Sequence, residues 1–219
     1  MTKYKLVCFD IDGTLIDDVV YSWELFHDYF KTDMEKRAKA RDRFFKGEIS
    51  YAEWALYDIN LWKEKGANKQ RLTDAIKGLK LMNGALEAIG ELRKKGLKLA
   101  VISGSINIIP ETIIPGFNEL FDHIYLNKMI FDKKGNIADI EITEFDIDGK
   151  ADALKIIAEK ENVKLDECVF IGDHLNDLKI IQEAGLGIAF DPKDDKLREV
   201  ADVVIEKKDL KEVLKYVFQ

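Results

Sequence analysis

Two rhythms of hydrophobic and polar positions alternate along this chain. Short, almost uninterrupted apolar runs occur at Leu6–Phe9, Leu97–Ile102, Cys168–Ile171, Gly187–Phe190 and Val203–Ile205. Each is too short for a buried helix and predicts a strand covered on both faces. Between them lie segments with helical spacing: Ala85–Lys95, ended by Gly96; Ile106–Ile114, bounded by Pro115-Gly116; and Ala151–Lys160, Leu175–Glu183 and Leu210–Val217. His123–Leu126 reads as a short strand. Met129–Phe131 and Ile137–Ile142 flank the polar stretch Asp132-Lys133-Lys134-Gly135-Asn136 and predict a β-hairpin. Strands alternating with helices imply an α/β fold with a doubly wound parallel sheet, whose ligands bind beyond the carboxyl ends of the strands.

Residues 17–80 break this rhythm. Trp23–Lys31, Asp33–Phe45 and Tyr51–Lys63 carry helical patterns and no strand pattern. The expected organisation is a core of residues 1–16 and 81–219 with a helical insert at 17–80, hung on the tethers Ile16–Val19 and Lys80–Gly84. All three tryptophans and eleven of the 22 aromatic residues fall in the insert. A small helical bundle needs bulky side chains for its own core, and the same residues suit the wall of a substrate pocket. Both readings stay open from sequence.

Composition narrows the function classes. Apolar residues make up 47% and charged residues 34%, against roughly 25% charged in an average globular domain. The net charge is −7, and the basic groups Arg93-Lys94-Lys95 and Lys207-Lys208 are short enough to be solvated faces. Nucleic acid is not an expected partner. No apolar stretch approaches the roughly 20 residues of a membrane-spanning helix, and Met1–Lys5 leaves no room for a signal peptide before the first strand. A cytoplasmic location is therefore expected, with Cys8 and Cys168 as buried small hydrophobes rather than a disulfide.

Four polar elements are expected at one edge of the sheet. Asp10-Ile11-Asp12-Gly13-Thr14 follows the first strand and puts two carboxylates at spacing two where a glycine turns the chain. Carboxylates that close need a cation or a shared proton, which points to metal-assisted chemistry on an anionic substrate. Ser103, with Gly104 and Ser105, follows the strand Leu99–Ile102 and offers a hydroxyl and backbone N–H groups to a phosphate oxygen. Lys150 follows Asp148-Gly149 and opens a helix, where its charge opposes the helix dipole; an ordinary surface lysine is the plainer reading. Asp173 and Asp177 stand four apart in Gly172-Asp173-His174-Leu175-Asn176-Asp177, after the strand Cys168–Ile171. Acids at an emerging helix can be simple caps, but Asp173, at a strand end with a second acid one turn on, reads better as a metal ligand.

In order and approximate spacing, these four elements resemble the motifs of the haloacid dehalogenase (HAD) superfamily of phosphohydrolases. The resemblance implies an HAD-like, Rossmannoid core and hydrolysis of a small phosphorylated metabolite through an aspartyl-phosphate. By it, Asp10 is the nucleophile and Asp12 the general acid and then base. Mg²⁺ is held by Asp10, the Asp12 backbone carbonyl, Asp173 and Asp177. Ser103, Gly104 and Lys150 hold the phosphoryl group, and Asn176 positions Ser103, Lys150 or the phosphate. The insert resembles a cap of the C1 type, and the hairpin before Lys150 together with the ending Ala201–Leu210 is similar to the phosphoserine phosphatase-like members. Two positions depart from those members. Val19 or Val20 stands where they carry a cap glutamate, and Leu56-Tyr57-Asp58 where they carry a substrate-binding arginine. Glu24 and Arg41 or Arg43 are the nearest replacements in the cap, and His174 replaces a small residue beside the metal site.

Other readings are weaker. A phosphorylatable receiver module carries its aspartate on a mid-chain strand and lacks a helical insert of this size. A carbon–halogen dehalogenase lacks the second acid, Asp12. A phosphomutase of the same superfamily shares the motifs and differs in retaining the phosphoryl group, and an inactive binding protein does not require the full set of acids. The expected assembly is a monomer or homodimer.

Overall fold

The computed structural model describes residues 2–147 and 149–219. Met1, part of the expected core segment, and Asp148, which precedes Gly149-Lys150, lie outside the described residues. Nine strands follow one another among these residues: β1 (Leu6–Phe9), β2 (Ile16–Asp17), β3 (Lys80–Leu81), β4 (Lys98–Ile106), β5 (His123–Phe131), β6 (Ile137–Glu141), β7 (Cys168–Gly172), β8 (Leu186–Phe190) and β9 (Val203–Ile205). Seven of them form one sheet in the order β6-β5-β4-β1-β7-β8-β9. All neighbours in it are parallel except the hairpin pair β5 and β6.

The alternation within β1 explains the two-sided burial. Val7 and Phe9 join one apolar cluster and Leu6 and Cys8 the other, and all four side chains are fully buried. Fully burying an apolar side chain of this size is worth about 1.5–3 kcal/mol, so a central strand with no polar face is favoured only between two helical layers. Those layers contain α5 (Ala85–Lys94), α6 (Ile108–Ile113), α7 (Phe117–Leu120), α8 (Lys150–Glu161), α9 (Leu178–Glu183), α10 (Asp195–Val200) and α11 (Leu214–Val217). Leu154 and Ile157 of α8 with Ile180 and Ile181 of α9 cover one face, and Ile89 and Leu92 of α5 help cover the other. From β1 the sheet grows outward on both sides, through β4 on one and β7 on the other, so the switch in strand order opens a crevice at the carboxyl end of β1.

Between β2 and β3 lie α1 (Ser22–Phe30), α2 (Met34–Phe45), α3 (Tyr51–Glu64) and α4 (Lys69–Ala75). The two expected tethers pair with each other, Ile16 opposite Leu81 and Asp17 opposite Lys80 in an antiparallel ribbon. Asp33 caps α2 by accepting from Glu35 and Lys36 N–H, and Ser50 and Glu53 form a reciprocal capping box on α3. Phe26, Phe30, Ile59, Trp62 and Leu72 extend the main apolar cluster into these helices, with the Trp62 ring 5.1 Å from Trp23 and 5.2 Å from Phe26.

Several elements differ from the sequence expectation. Helix α4 has no apolar periodicity, since Leu72 is its one buried residue; Asn68 starts it by accepting from Arg71 N–H at 3.0 Å. Strand β5 is continuous where two runs were expected. The polar interruption is Asn127, fully buried because its side chain donates to Gly104 O at 2.7 Å and accepts from Thr143 N–H at 2.9 Å. Strand β4 runs beyond Ile102 to Ile106, with a register shift between those residues. Ser103 therefore lies in an irregular stretch of the strand and not after its end. The helix expected from Leu175 begins as a 3₁₀ turn at Leu175–Asp177 before α9.

Candidate active site

The carboxyl end of β1 is built to hold two acids apart. Asp10 N–H still donates to Ile171 O at 2.9 Å on β7, while the next residues leave the ladder. Ile11 O then accepts from Thr14, Leu15 and Ile16 N–H in a tight turn. Gly13 sits in it at φ +75°, and a Cβ there would lie 2.1 Å from Asp173 Oδ2, so both the backbone and the space demand glycine. Asp10 and Asp12 consequently face different partners. Asp10 accepts from Ile11 N–H at 2.8 Å and lies 2.9 Å from Lys150 Nζ. Asp12 accepts from Ser22 N–H at 2.8 Å and from Ser105 Oγ at 2.9 Å. Burial pushes Asp12 up to about 6 against the pull of the Ser22 and Ser105 hydrogen bonds, and the neighbouring Asp10 charge adds to the rise. An acid in that range can both give and take a proton near neutrality.

Lys150, the first residue of α8, is buried under the strand ends, 2.7 Å from Asp177 Oδ1 and 2.9 Å from Asp10 Oδ2. Burial alone lowers a lysine pKa, but the carboxylates of Asp10, Asp177 and Asp146 outweigh it and hold Lys150 above its ordinary value. Asp177 is fully buried and its other oxygen accepts from the N–H groups of Asp173 and His174; burial still raises its pKa against the pull of Lys150. Asp173 is different. Both of its oxygens are buried with no hydrogen-bond partner, and burial with the charges of Asp10 and Asp177 pushes it up to about 9.

An unpaired buried carboxylate is costly, and a cation bound at Asp173 would offset that cost. One oxygen each from Asp10, Asp173 and Asp177 lies within 4.8 Å of the others. Three converging oxygen donors fit a hard divalent cation such as Mg²⁺. The Asp12 carboxylate is not in this group, because Ser22 and Ser105 hold it on the other side of the turn.

Ser103 is buried, and its Oγ accepts from Ser105 N–H at 3.2 Å. Of the three partners expected for Asn176, it touches neither Ser103 nor Lys150, while it borders the small cavity beside Asp10 where a phosphate would sit. Its Nδ2 donates to Asp146 Oδ1 at 3.3 Å, because the 3₁₀ turn carries the side chain toward the loop before α8, and its Oδ1 is buried without a partner. His174 Nδ1 pairs with Tyr21 Oη at 2.7 Å, and burial lowers its pKa. The helices between β2 and β3 close over this crevice through Ser22 N–H on Asp12, Trp23 Nε1 on Gly104 O at 2.8 Å and Tyr51 Oη on Asp146 Oδ2 at 2.7 Å.

Beneath them lies a cavity of about 30 Å³ bordered by Asp10, Asp12, Ser103, Gly104 and Asp173. A second, of about 580 Å³, extends among the inserted helices. Glu24 and Arg41 border it, and so does Arg37, which sequence reasoning did not single out; Arg43, paired with Glu48 at 3.4 Å, is not on its wall. Ser22, Tyr21, Tyr51 and Asp146 were also missed. They reach the crevice only through long-range packing and carry no local pattern.

A family model for haloacid dehalogenase-like hydrolases matches residues 4–185. The chain is 31% identical over 215 residues to a phosphoserine phosphatase of Methanocaldococcus jannaschii, covering 98% of each chain. It is 28% identical to one of Lactococcus lactis, covering 99% of this chain and 97% of that one. Among solved structures, a phospho-aspartyl intermediate analogue of phosphoserine phosphatase superposes with a TM-score of 0.73 at 29% identity over 98% of this chain and 99% of that one. A substrate-bound phosphoserine phosphatase does so with a TM-score of 0.74 at 29% identity over 99% and 100%. With its acids, lysine and serine gathered at the switch point of a parallel sheet, the chain belongs to the haloacid dehalogenase-like hydrolase family.

Proposed function

We propose that the protein is a Mg²⁺-dependent phosphatase that hydrolyses a small phosphomonoester through an aspartyl-phosphate on Asp10. The observation that carries this reading is the buried junction in which Lys150 joins Asp10 to Asp177 while both oxygens of Asp173 lack a partner. Asp10, the Asp12 carbonyl, Asp173 and Asp177 would hold Mg²⁺, which supplies charge neutralisation on the phosphoryl oxygens.

The Ile11 N–H and Lys150 fix the Asp10 carboxylate in one orientation, so that an oxygen is presented to phosphorus without a search over rotamers. Attack forms the Asp10 oxygen–phosphorus bond and breaks the ester bond, and the Asp12 proton passes to the leaving alkoxide. Asp12 then accepts a proton from water as that water attacks phosphorus, which releases inorganic phosphate and restores Asp10. Ser103, the Gly104 backbone and Lys150 hold the phosphoryl oxygens through both steps.

Residues 17–80 act as a cap and residues 1–16 and 81–219 as the core. Opening at the β2–β3 ribbon admits substrate, and closure by Ser22, Trp23 and Tyr51 excludes bulk water. We place the protein in the cytoplasm as a monomer or homodimer; no described helix is long and apolar enough to cross a membrane. Release of inorganic phosphate from p-nitrophenyl phosphate tests the reading. Turnover is expected with Mg²⁺ and none with excess chelator, and equal rates in the two would overturn it. A phosphomutase would retain the phosphoryl group on an organic product.

A further inference from the structure

We infer that Asp146, at the neck between the two cavities, selects leaving groups that carry a cationic nitrogen close to the ester oxygen and an apolar body beyond it. The inference rests on the phosphatase reading above and names the substrate class of that same site.

Tyr21, Trp23, Asp146 and Asn176 border both the small cavity at Asp10 and the cavity of about 580 Å³. A phosphoryl group seated at Asp10 therefore directs its leaving group past these four residues. The Asp146 carboxylate packs directly on the phosphate-facing stretch, since a Cβ on Gly104 would lie 2.1 Å from its carboxyl carbon. An anion so placed repels an incoming phosphate. A cation on the leaving group, lying between the two, turns that repulsion into attraction.

The charge arrangement on the wall of the larger cavity favours Asp146 as the receptor. Glu24 and Asp58 already face Arg37, at 3.8 and 3.6 Å. No described Lys, Arg or His side chain forms a salt bridge with Asp146. Its hydrogen-bond partners are the hydroxyl of Tyr51 and the amide of Asn176, both neutral donors that orient it. Lys150 attracts Asp146 through space, but its ammonium is committed to Asp10 and Asp177, and burial outweighs its pull on the Asp146 carboxyl. Beyond the neck, Phe45, Tyr51 and Trp54 form an aromatic stretch of a wall that also carries Arg37 and Arg41, and aromatic faces accept both an apolar body and a nearby cation. The space far exceeds what a two- or three-carbon alcohol fills.

The test compares wild-type kcat/KM for 2-amino-3-phenylpropyl phosphate, its deaminated analogue 3-phenylpropyl phosphate, and phosphoethanolamine, which keeps the amine and lacks the body. The first is expected to exceed each of the other two by about tenfold or more, as loss of a charge-assisted hydrogen bond or of the apolar contact predicts. In Asp146→Asn, the ratio of the first to the second is expected to fall below about threefold, and in Trp54→Ala the ratio of the first to phosphoethanolamine falls instead. Equal wild-type values for the amine and deaminated esters overturn the inference without any variant, as does an undiminished ratio in a folded Asp146→Asn. Absence of p-nitrophenyl phosphate turnover by the wild type with Mg²⁺ would overturn the phosphatase reading, a result separate from either.

Discussion

Replacing Lys150 by Met removes one charge from a junction that holds three buried acids. The Nζ lies 2.9 Å from Asp10 and 2.7 Å from Asp177, with Lys150 and Asp177 essentially inaccessible to water. Methionine fills most of the space, so the apolar packing of the lysine stem is kept and the change reports mainly on charge. Breaking a buried ion pair from one side typically costs about 3–5 kcal/mol, because the remaining charge has no compensation. For a chain of this size, 1 kcal/mol corresponds to a fall of about 2–4 °C in Tm, so a drop of roughly 6–20 °C is expected at pH 8 in chelator. The cost has a definite pH dependence. Without Lys150, Asp173 and Asp177, whose folded-state pKa values burial already raises, rise further above their unfolded values, the native state binds more protons, and stability falls as pH rises. The deficit against wild type should therefore shrink toward pH 5 and shrink again when Mg²⁺ is added at pH 8. Differential scanning calorimetry at the two pH values, with and without the ion, measures all of this. A loss below about 1 kcal/mol at pH 8, or one independent of pH and of Mg²⁺, would refute the view that Lys150 compensates buried carboxylates.

Two further outcomes follow from the same geometry. In wild-type protein freed of metal, Asp173 is held at about 9 against an ordinary carboxylate value of 3.8. Tm should fall as pH rises between those values and recover most of the loss with Mg²⁺; thermal melts in chelator at pH 5 and pH 8 check it, and a rising Tm would contradict it. Gly13→Ala places a side chain at φ +75° and against Asp173. It should cost at least about 1–2 kcal/mol in urea unfolding and weaken Mg²⁺ binding by titration calorimetry, whereas Gly90→Ala, where a Cβ meets nothing within 4 Å, should not.

Much of the core was legible because it follows from local rules. Buried parallel strands must be apolar throughout, so Leu6–Phe9 and Cys168–Ile171 announce themselves, and the acids that follow them fall at the strand ends by topology. The hairpin turn at Asp132 was equally local, its side chain accepting from the N–H groups of Lys134 and Asn136. What escaped depends on partners distant in sequence. Asn127 looks like a strand break until Gly104 O and Thr143 N–H satisfy it within β5. Helix α4 is too polar to be found by periodicity. Asp146 is one acid among many until packing sets it over Gly104, and the contact of Asn176 with it depends on the same long-range packing. The aromatic residues of the inserted helices divide between both readings that the sequence left open: Trp62 is wholly buried, while Trp54 lines the large cavity.

The central claim is that Asp10 carries the phosphoryl group. Acid quenching during turnover of p-nitrophenyl phosphate with Mg²⁺, followed by mass spectrometry of the peptides, tests it most directly. The account predicts one phosphoryl group on Asp10, removed by hydroxylamine, and neither adduct nor turnover in a folded Asp10→Asn variant. Full turnover in that variant, or a phosphoryl group on another residue with Asp10 unmodified, would contradict it.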